Sequence, residues 1–98
     1  MSFIQTISYT TQRPDEMQAL MDAFERDDPG SPGLVSVRVL KDRDRENAFL
    51  VIAEFESYEA GMENSARPEV DAFAQKMTEL VAGPPSFGNY DVIQERSG

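Results

Sequence analysis

The chain has 98 residues and a mass of 11.0 kDa, a size that suits one folded domain spanning residues 1–98. It contains neither Cys nor His, which excludes a disulfide framework, a thiolate nucleophile, an imidazole base and most zinc, haem and non-haem iron sites. The formal charge of -9, with no basic patch, argues against nucleic-acid and membrane-surface partners. Because no segment resembles a membrane span or a signal peptide, we expect a cytoplasmic protein.

The first third of the chain predicts a strand followed by a helix. Apolar and polar residues interleave among β-forming side chains over Phe3–Thr10, as in a strand with one buried face. Pro14 suits the first turn of a helix. The apolar residues that follow it have the i, i+3, i+4, i+7 spacing of an amphipathic helix: Met17, Leu20, Met21 and Phe24. The Pro and Gly residues of Asp28–Gly33 predict the loop that ends this helix.

The middle of the chain predicts a β-hairpin formed by Leu34–Leu40 and Ala48–Glu56, which flank a charged connector. Strict alternation places one set of residues on the face under the helices: Val35, Val37, Val39, Phe49, Val51, Ala53 and Phe55. The opposite face carries Leu34, Ser36, Arg38, Leu40, Leu50, Ile52 and Glu54. Both strands are therefore apolar on both faces, which indicates that both faces are buried.

The last third predicts a helix with a break and then a weaker strand. Ser57 is placed to cap a short helix, which Pro68 interrupts. The remaining boundaries are a helix over Val70–Val81, a stop at Gly83-Pro84-Pro85 and a strand over Phe87–Glu95. The order β-α-β-β-α-β predicts an α+β, ferredoxin-like split βαβ fold with a four-stranded antiparallel sheet and its helices on one face.

The sheet face without helices is expected to be an interface. It carries an apolar patch formed by Leu34, Leu40, Leu50 and Ile52, and a patch of this kind usually marks a contact with a partner. A homodimer that packs sheet against sheet is the simplest closed assembly.

Several stretches of the sequence resemble the dimeric α/β barrels related to the antibiotic-biosynthesis monooxygenase domain. They are the run from Phe49 to Ala60, the Asn64–Glu69 break before Phe73, and Gly83-Pro84-Pro85 leading into Asn89–Val92. The resemblance implies a dimeric barrel. It also implies a function among those of the family, which include cofactor-independent monooxygenases of phenols and quinols, haem-degrading oxygenases and isomerases.

The sequence departs from the catalytic subgroups of that family. The haem-degrading type uses a His ligand together with a Trp, and this chain has neither residue, which argues against haem degradation. The phenol-oxidising type uses an Asn and a Trp with Tyr or Arg, and only the Trp is missing here. We therefore expect a cofactor-independent monooxygenase acting on a hydrophobic aromatic molecule such as a phenol, a quinol or a polyketide-like compound. A non-catalytic dimeric ligand-binding or stress-associated barrel, and an isomerase or cyclase, remain alternatives.

Four residues are candidates for the catalytic site. Arg38 and Glu54 lie on the face assigned to the dimer, where a charge must be paired or must hold a ligand, and Glu54 is the candidate base. Tyr58 offers a phenol as a hydrogen-bond donor, and Asn64 could hold a substrate carbonyl through its amide. The structural alternatives are an ion pair across the hairpin, packing of the tyrosine, and bracing of the helix break by the asparagine.

No cofactor or metal site is predicted. Asp42, Asp44 and Glu46 have the spacing of the first ligands of a calcium loop. However, Asn47 stands where that loop needs Gly, and Ala53 stands where it needs Glu, so the segment predicts a solvated hairpin connection.

Overall fold

The computed structural model describes residues 2–97. Its elements in chain order are β1 (Phe3–Thr10), α1 (Pro14–Asp27), β2 (Leu34–Lys41), β3 (Ala48–Phe55), α2 (Tyr58–Ser65), α3 (Pro68–Leu80) and β4 (Ser86–Asp91). The residues predicted to begin, cap or interrupt the helices do so in the structure. Pro14 lies in the first turn of α1, the Ser57 hydroxyl accepts a hydrogen bond from the backbone N–H of Ala60, and Pro68 begins α3 after the break.

The four strands form one antiparallel sheet in the order β2-β3-β1-β4. With the helices between the strands, this order confirms the predicted α+β ferredoxin-like fold. The strand register places Phe3, Ile7 and Tyr9 of β1 on one face, together with Phe49 and Phe55 of β3. The helices pack on this face, which we call the helix side, and the opposite surface is called the open face.

The core under the helices is centred on Tyr9, Met17 and Met77, each no more than 5% exposed. The ring of Tyr9 stacks on Phe49 with centroids 5.5 Å apart, and this contact joins β1 to β3. Since Met17 belongs to α1 and Met77 to α3, the cluster also holds both long helices on the sheet.

Thr11 fixes the ends of two helices against the end of β1. It is fully buried, its hydroxyl donates to the carbonyl of Leu80 at 2.6 Å, and the same oxygen accepts from the backbone N–H of Arg13 at 3.0 Å. One buried hydroxyl therefore satisfies a carbonyl at the end of α3 and an N–H at the start of α1.

Gly61 allows α2 to lie directly on the sheet. A Cβ at this position would stand 2.7 Å from the ring of Phe3, which is 3% exposed. Any larger residue would therefore push α2 away from β1.

The structure corrects the predicted face of Leu34. A register shift between Leu34 and Ser36 sets Leu34 opposite the buried Phe55 on the helix side, so strict alternation fails at the start of β2. Ser36 pairs with Glu54 and returns the strand to the expected register.

Two other expectations are also corrected. The helices do not cover the valines of β2, an edge strand, and Val37 and Val39 remain 52% and 42% exposed. The last strand ends at Asp91 and not at Glu95, because Asp91 already pairs with Phe3, the first residue of β1.

The charged connector of the hairpin is a turn, as the sequence predicts. Oδ1 of Asp42 accepts hydrogen bonds from the backbone N–H groups of Asp44 and Arg45, at 2.8 and 3.2 Å. Asn47 ends the turn with a φ of 62°, a left-handed conformation that Asn tolerates better than most residues.

Candidate functional site

A cavity of about 340 Å³ lies on the helix side, between the sheet and helices α2 and α3. This volume falls in the range of about 300–1,000 Å³ that small-molecule sites occupy. Its apolar lining comes from β1, β3, α1, α3, β4 and the residue before β4: Ile7, Phe24, Val51, Ala53, Val70, Phe73, Ala74, Met77, Pro85 and Phe87. We call it the helix-side cavity.

The polar groups of the cavity collect where β1 and β4 meet the end of α2. The Gln5 amide lies 3.3 Å from Oδ1 of Asn89 on the neighbouring strand and 3.4 Å from the Ser65 hydroxyl. The Ser65 hydroxyl also donates to the carbonyl of Gly61 at 3.1 Å. A ligand in the cavity would thus meet an apolar body and a small set of hydrogen-bonding groups at one end.

Asn64 lines the cavity from the last turn of α2, and a charged residue holds its side chain. Arg67 donates from a guanidinium nitrogen to Oδ1 of Asn64 at 3.1 Å. The guanidinium also makes an ion pair with Asp28, in the loop after α1. This hydrogen bond to Asp28 raises the pKa of Arg67, so the guanidinium is charged at every accessible pH.

Asp71 and Thr78 of α3 also line the cavity, and the sequence analysis did not select them. Asp71 accepts a hydrogen bond from Gln75 at 2.9 Å, and within residues 2–97 it is the only Asp or Glu that lines the cavity. A helical projection would have revealed both residues, since 71, 74 and 78 follow one another on the side of α3 next to its apolar stripe.

Of the four predicted site residues, only Asn64 lines the helix-side cavity. Arg38 lies opposite Ile52 and Glu54 lies opposite Ser36, so both are on the open face, as predicted. Neither makes an ion pair within residues 2–97, so the structural alternative of an ion pair across the hairpin is not formed there. The sheet therefore separates these two charges from the cavity.

Tyr58, the first residue of α2, is also outside the lining of the cavity. Its ring packs edge-on against Phe3 with centroids 5.2 Å apart, and the residue is 54% exposed. The predicted quartet is thus divided among the open face, the start of α2 and the cavity. The catalytic roles of Arg38, Glu54 and Tyr58 stay predictions.

A larger depression of about 580 Å³ lies on the open face, next to the hairpin turn. Its lining includes Ser8, Leu50, Lys41, Asp42 and Arg45. Its lining is mostly polar, whereas the lining of the helix-side cavity is mostly apolar. We therefore take the helix-side cavity as the candidate site.

The part of the chain that the structure describes contains no group of three or more Asp or Glu placed to hold a metal ion. None of the described helices has the length and apolar character needed to cross a membrane.

The fold and the cavity together define a ferredoxin-like domain with an apolar cavity under its helices. The sequence profile of the antibiotic biosynthesis monooxygenase family matches residues 2–76. The chain therefore belongs to the antibiotic biosynthesis monooxygenase family. No curated protein matches the sequence.

Solved structures with the same fold cover almost the whole chain. An asparagine-to-alanine variant of SnoaB, a cofactor-independent oxygenase from Streptomyces nogalater, is 21% identical with a TM-score of 0.81, over 96% of this chain and 95% of that one. Rv0793 from Mycobacterium tuberculosis is 16% identical with a TM-score of 0.83, over 99% and 100%. A conserved protein from Methanosarcina mazei Go1 is 8% identical with a TM-score of 0.83, over 92% and 91%. At these identities the similarity establishes the fold.

Proposed function

We propose that this protein binds a hydrophobic aromatic molecule in the helix-side cavity and oxidises it with dioxygen as a cofactor-independent monooxygenase. The observation that carries the proposal is the cavity itself: an apolar space of about 340 Å³ with amide, hydroxyl and carboxylate groups at its edge. Membership of the monooxygenase family supports it, as does the shared fold with SnoaB, which is described as a cofactor-independent oxygenase.

The chemistry that fits the cavity begins with loss of a proton from a phenol, a quinol or a related carbon acid. The resulting anion is electron-rich and can reduce dioxygen directly, so that one oxygen atom enters the product and the other leaves as water. The protein must then bind the aromatic body, remove the proton and stabilise negative charge on the substrate oxygen.

The residues around the cavity suggest a division of these tasks. Asn64 can donate to the substrate oxygen through its amide nitrogen. Asp71 is exposed at the edge of the cavity and is the carboxylate that can accept the proton there. Glu54, the base predicted from the sequence, would have to act from the open face, and we therefore rank Asp71 ahead of it.

Oxygen uptake by the purified, metal-stripped protein tests the proposal against a panel of phenols, quinols and anthrone. We expect uptake with at least one compound, a tenfold or greater loss in Asn64→Ala and Asp71→Asn, and little change in Arg38→Gln. Equal losses in all three variants would point away from the cavity. Loss in Glu54→Gln with full activity in Asp71→Asn would restore the base predicted from the sequence.

A non-catalytic ligand-binding protein is the second candidate function. The observation that favours it is the separation of Arg38, Glu54 and Tyr58 from the cavity, which leaves few groups for proton transfer there. Tight binding of aromatic compounds with no oxygen uptake across the panel would support this function.

We also propose that two chains associate through the open face. Leu40 and Tyr90 are 40% and 57% exposed on this face, and Ile4, Leu50 and Ile52 lie between them. None of the helices described within residues 2–97 covers these side chains, and a second copy would remove them from water. Light scattering should give twice the mass of one chain for the wild type and the mass of one chain for Ile52→Glu.

A further inference from the structure

The contact between Arg67 and Asn64 fixes which end of the Asn64 amide is available to a ligand. A guanidinium group only donates hydrogen bonds, so the atom of Asn64 that faces Arg67 at 3.1 Å must be the amide oxygen. The amide nitrogen is then directed away from Arg67. It has no hydrogen-bond acceptor among the side chains and backbone of residues 2–97.

The side chain of Arg67 is held in place by Asp28. Its guanidinium bonds to Oδ1 of Asp28, and the two side chains are only 21% and 10% exposed. Oδ2 of Asp28 accepts a hydrogen bond from the backbone N–H of Gly30 at 3.1 Å, so the carboxylate is fixed to its own loop. A continuous chain of contacts therefore runs from that loop through Arg67 to the amide at the cavity.

We propose that Arg67, anchored by Asp28, is a positioning residue that fixes the Asn64 amide with its nitrogen as a donor in the cavity. The site therefore selects ligands that carry an acceptor oxygen at that end, such as a carbonyl or a phenolate. This inference rests on the proposed function, because it requires that a ligand bind in the helix-side cavity.

The chemical basis of the selection is the fixed polarity of the amide. A free asparagine can turn either its oxygen or its nitrogen toward a ligand, and so it serves donors and acceptors alike. With its oxygen bound to Arg67, Asn64 can only donate. A donor also stabilises the anion formed when a phenol or quinol loses its proton, so the same contact would aid the oxidation.

A matched pair of probes measures this preference. Tetralin and 1-tetralone share one ring framework and differ by a single carbonyl oxygen, so the ratio of their dissociation constants isolates the contact to that oxygen. In Asn64→Ala the ratio of the 1-tetralone constant to the tetralin constant should rise about two- to tenfold, the effect of one neutral hydrogen bond. The tetralin constant itself should change little, since tetralin has no oxygen to accept the bond.

Arg67→Met should raise the ratio to nearly the same extent, although Arg67 is not expected to touch the ligand. In the double variant with Asn64→Ala, the loss of Arg67 should have no further effect on the ratio, because Arg67 acts through Asn64. Arg26→Met is the matched control. Arg26 also bonds to an aspartate, Asp27, but at an exposed site, and its loss should leave the ratio unchanged.

A second measurement needs no variant and no ligand. Nitrogen-15 relaxation of the Asn64 side-chain amide in the wild type should give an order parameter near the value of about 0.85 for rigid groups. A value below about 0.6 would mean that the amide turns freely, and it would overturn the positioning role even if Arg67→Met failed to fold.

The outcomes separate this inference from the proposed function. If both probes bind the wild type but Arg67→Met leaves the ratio unchanged, the positioning role is wrong and the cavity remains a ligand site. If neither probe binds the wild type, the proposed function fails and this inference fails with it. The positioning role would be established by three results together. The ratio rises in Arg67→Met, it does not rise in Arg26→Met, and the effect of Arg67→Met does not add to that of Asn64→Ala.

Discussion

The two ends of the layer between the sheet and the helices differ in how they are filled. At the α1 end, Tyr9, Met17 and Met77 pack into a cluster that is almost inaccessible to solvent. At the α2 end, a cavity of about 340 Å³ remains, and its edge carries Gln5, Asn64 and Asn89. Met77 belongs to both ends, so a single helix, α3, stabilises the fold at one end and lines the candidate site at the other.

The difference follows from side-chain size and from the break between the two helices. Large apolar residues occupy the α1 end, whereas the sheet under the cavity carries the small side chain of Ala53. The break at Pro68 separates α2 from α3, and residues of both helices line the space. Stability and ligand binding should therefore depend on different residues.

The largest expected effect is a loss of stability at the α1 end, where the buried cluster lies. Met17→Ala removes a side chain that is 2% exposed and should lower the free energy of unfolding by about 2–5 kcal/mol, because a void replaces packed contacts. Urea unfolding monitored by circular dichroism measures this loss. Ile93→Ala, at a residue that is 86% exposed, is the control and should stay within about 0.5 kcal/mol of the wild type. Similar losses in the two variants would mean that the cluster does not dominate stability.

At the α2 end, which holds the helix-side cavity, a larger side chain should weaken ligand binding far more than it lowers the free energy of unfolding. Ala53→Leu extends into the cavity, so the free energy of unfolding should change by less than about 1 kcal/mol. Binding of 1-tetralone, measured by calorimetry, should weaken tenfold or more because the leucine takes the space of the ligand. Ala19→Leu, on the exposed surface of α1, should alter neither quantity. Unchanged binding in Ala53→Leu would place the ligand elsewhere.

The smallest expected effect is a pH dependence of the free energy of unfolding, which arises from Tyr9 at the α1 end. Burial raises the pKa of Tyr9 above its ordinary value of 10.0, because the phenolate is poorly solvated there. The neutral phenol therefore contributes stability that is fully present below about pH 10 and is lost as the pH rises through the pKa of the folded state.

Urea unfolding between about pH 8 and pH 11.5 tests this dependence. The alkaline loss of stability should be smaller in Tyr9→Phe than in the wild type, while at pH 8 the two should differ by no more than about 1 kcal/mol. Tyr58→Phe, at a position that is 54% exposed and outside the open face, is the control. The same alkaline slope in the wild type and in Tyr9→Phe would contradict the explanation.

The order of strands and helices could be predicted from the sequence because its signals are local. The spacing of Met17, Leu20 and Phe24, the cap at Ser57 and the break at Pro68 each act within a few residues, and all appear in the structure as expected. The fold class follows from that order.

The candidate site could be predicted only in part. Asn64 was selected and lines the cavity, whereas Arg38 and Glu54 were correctly placed on the open face but lie across the sheet from it. Gln5 and Asn89 were missed because they are 84 residues apart and meet only through the pairing of β1 with β4.

The sequence by itself determined the order of the strands and helices and which residue types could carry chemistry, since both can be read from neighbouring residues. Only the tertiary structure decided which of those residues face one another. The register shift at Leu34 changed the face of one side chain, and the loop after α1 brought Asp28 to Arg67 from 39 residues away. These contacts depend on how the layers pack, and the packing is a property of the whole chain.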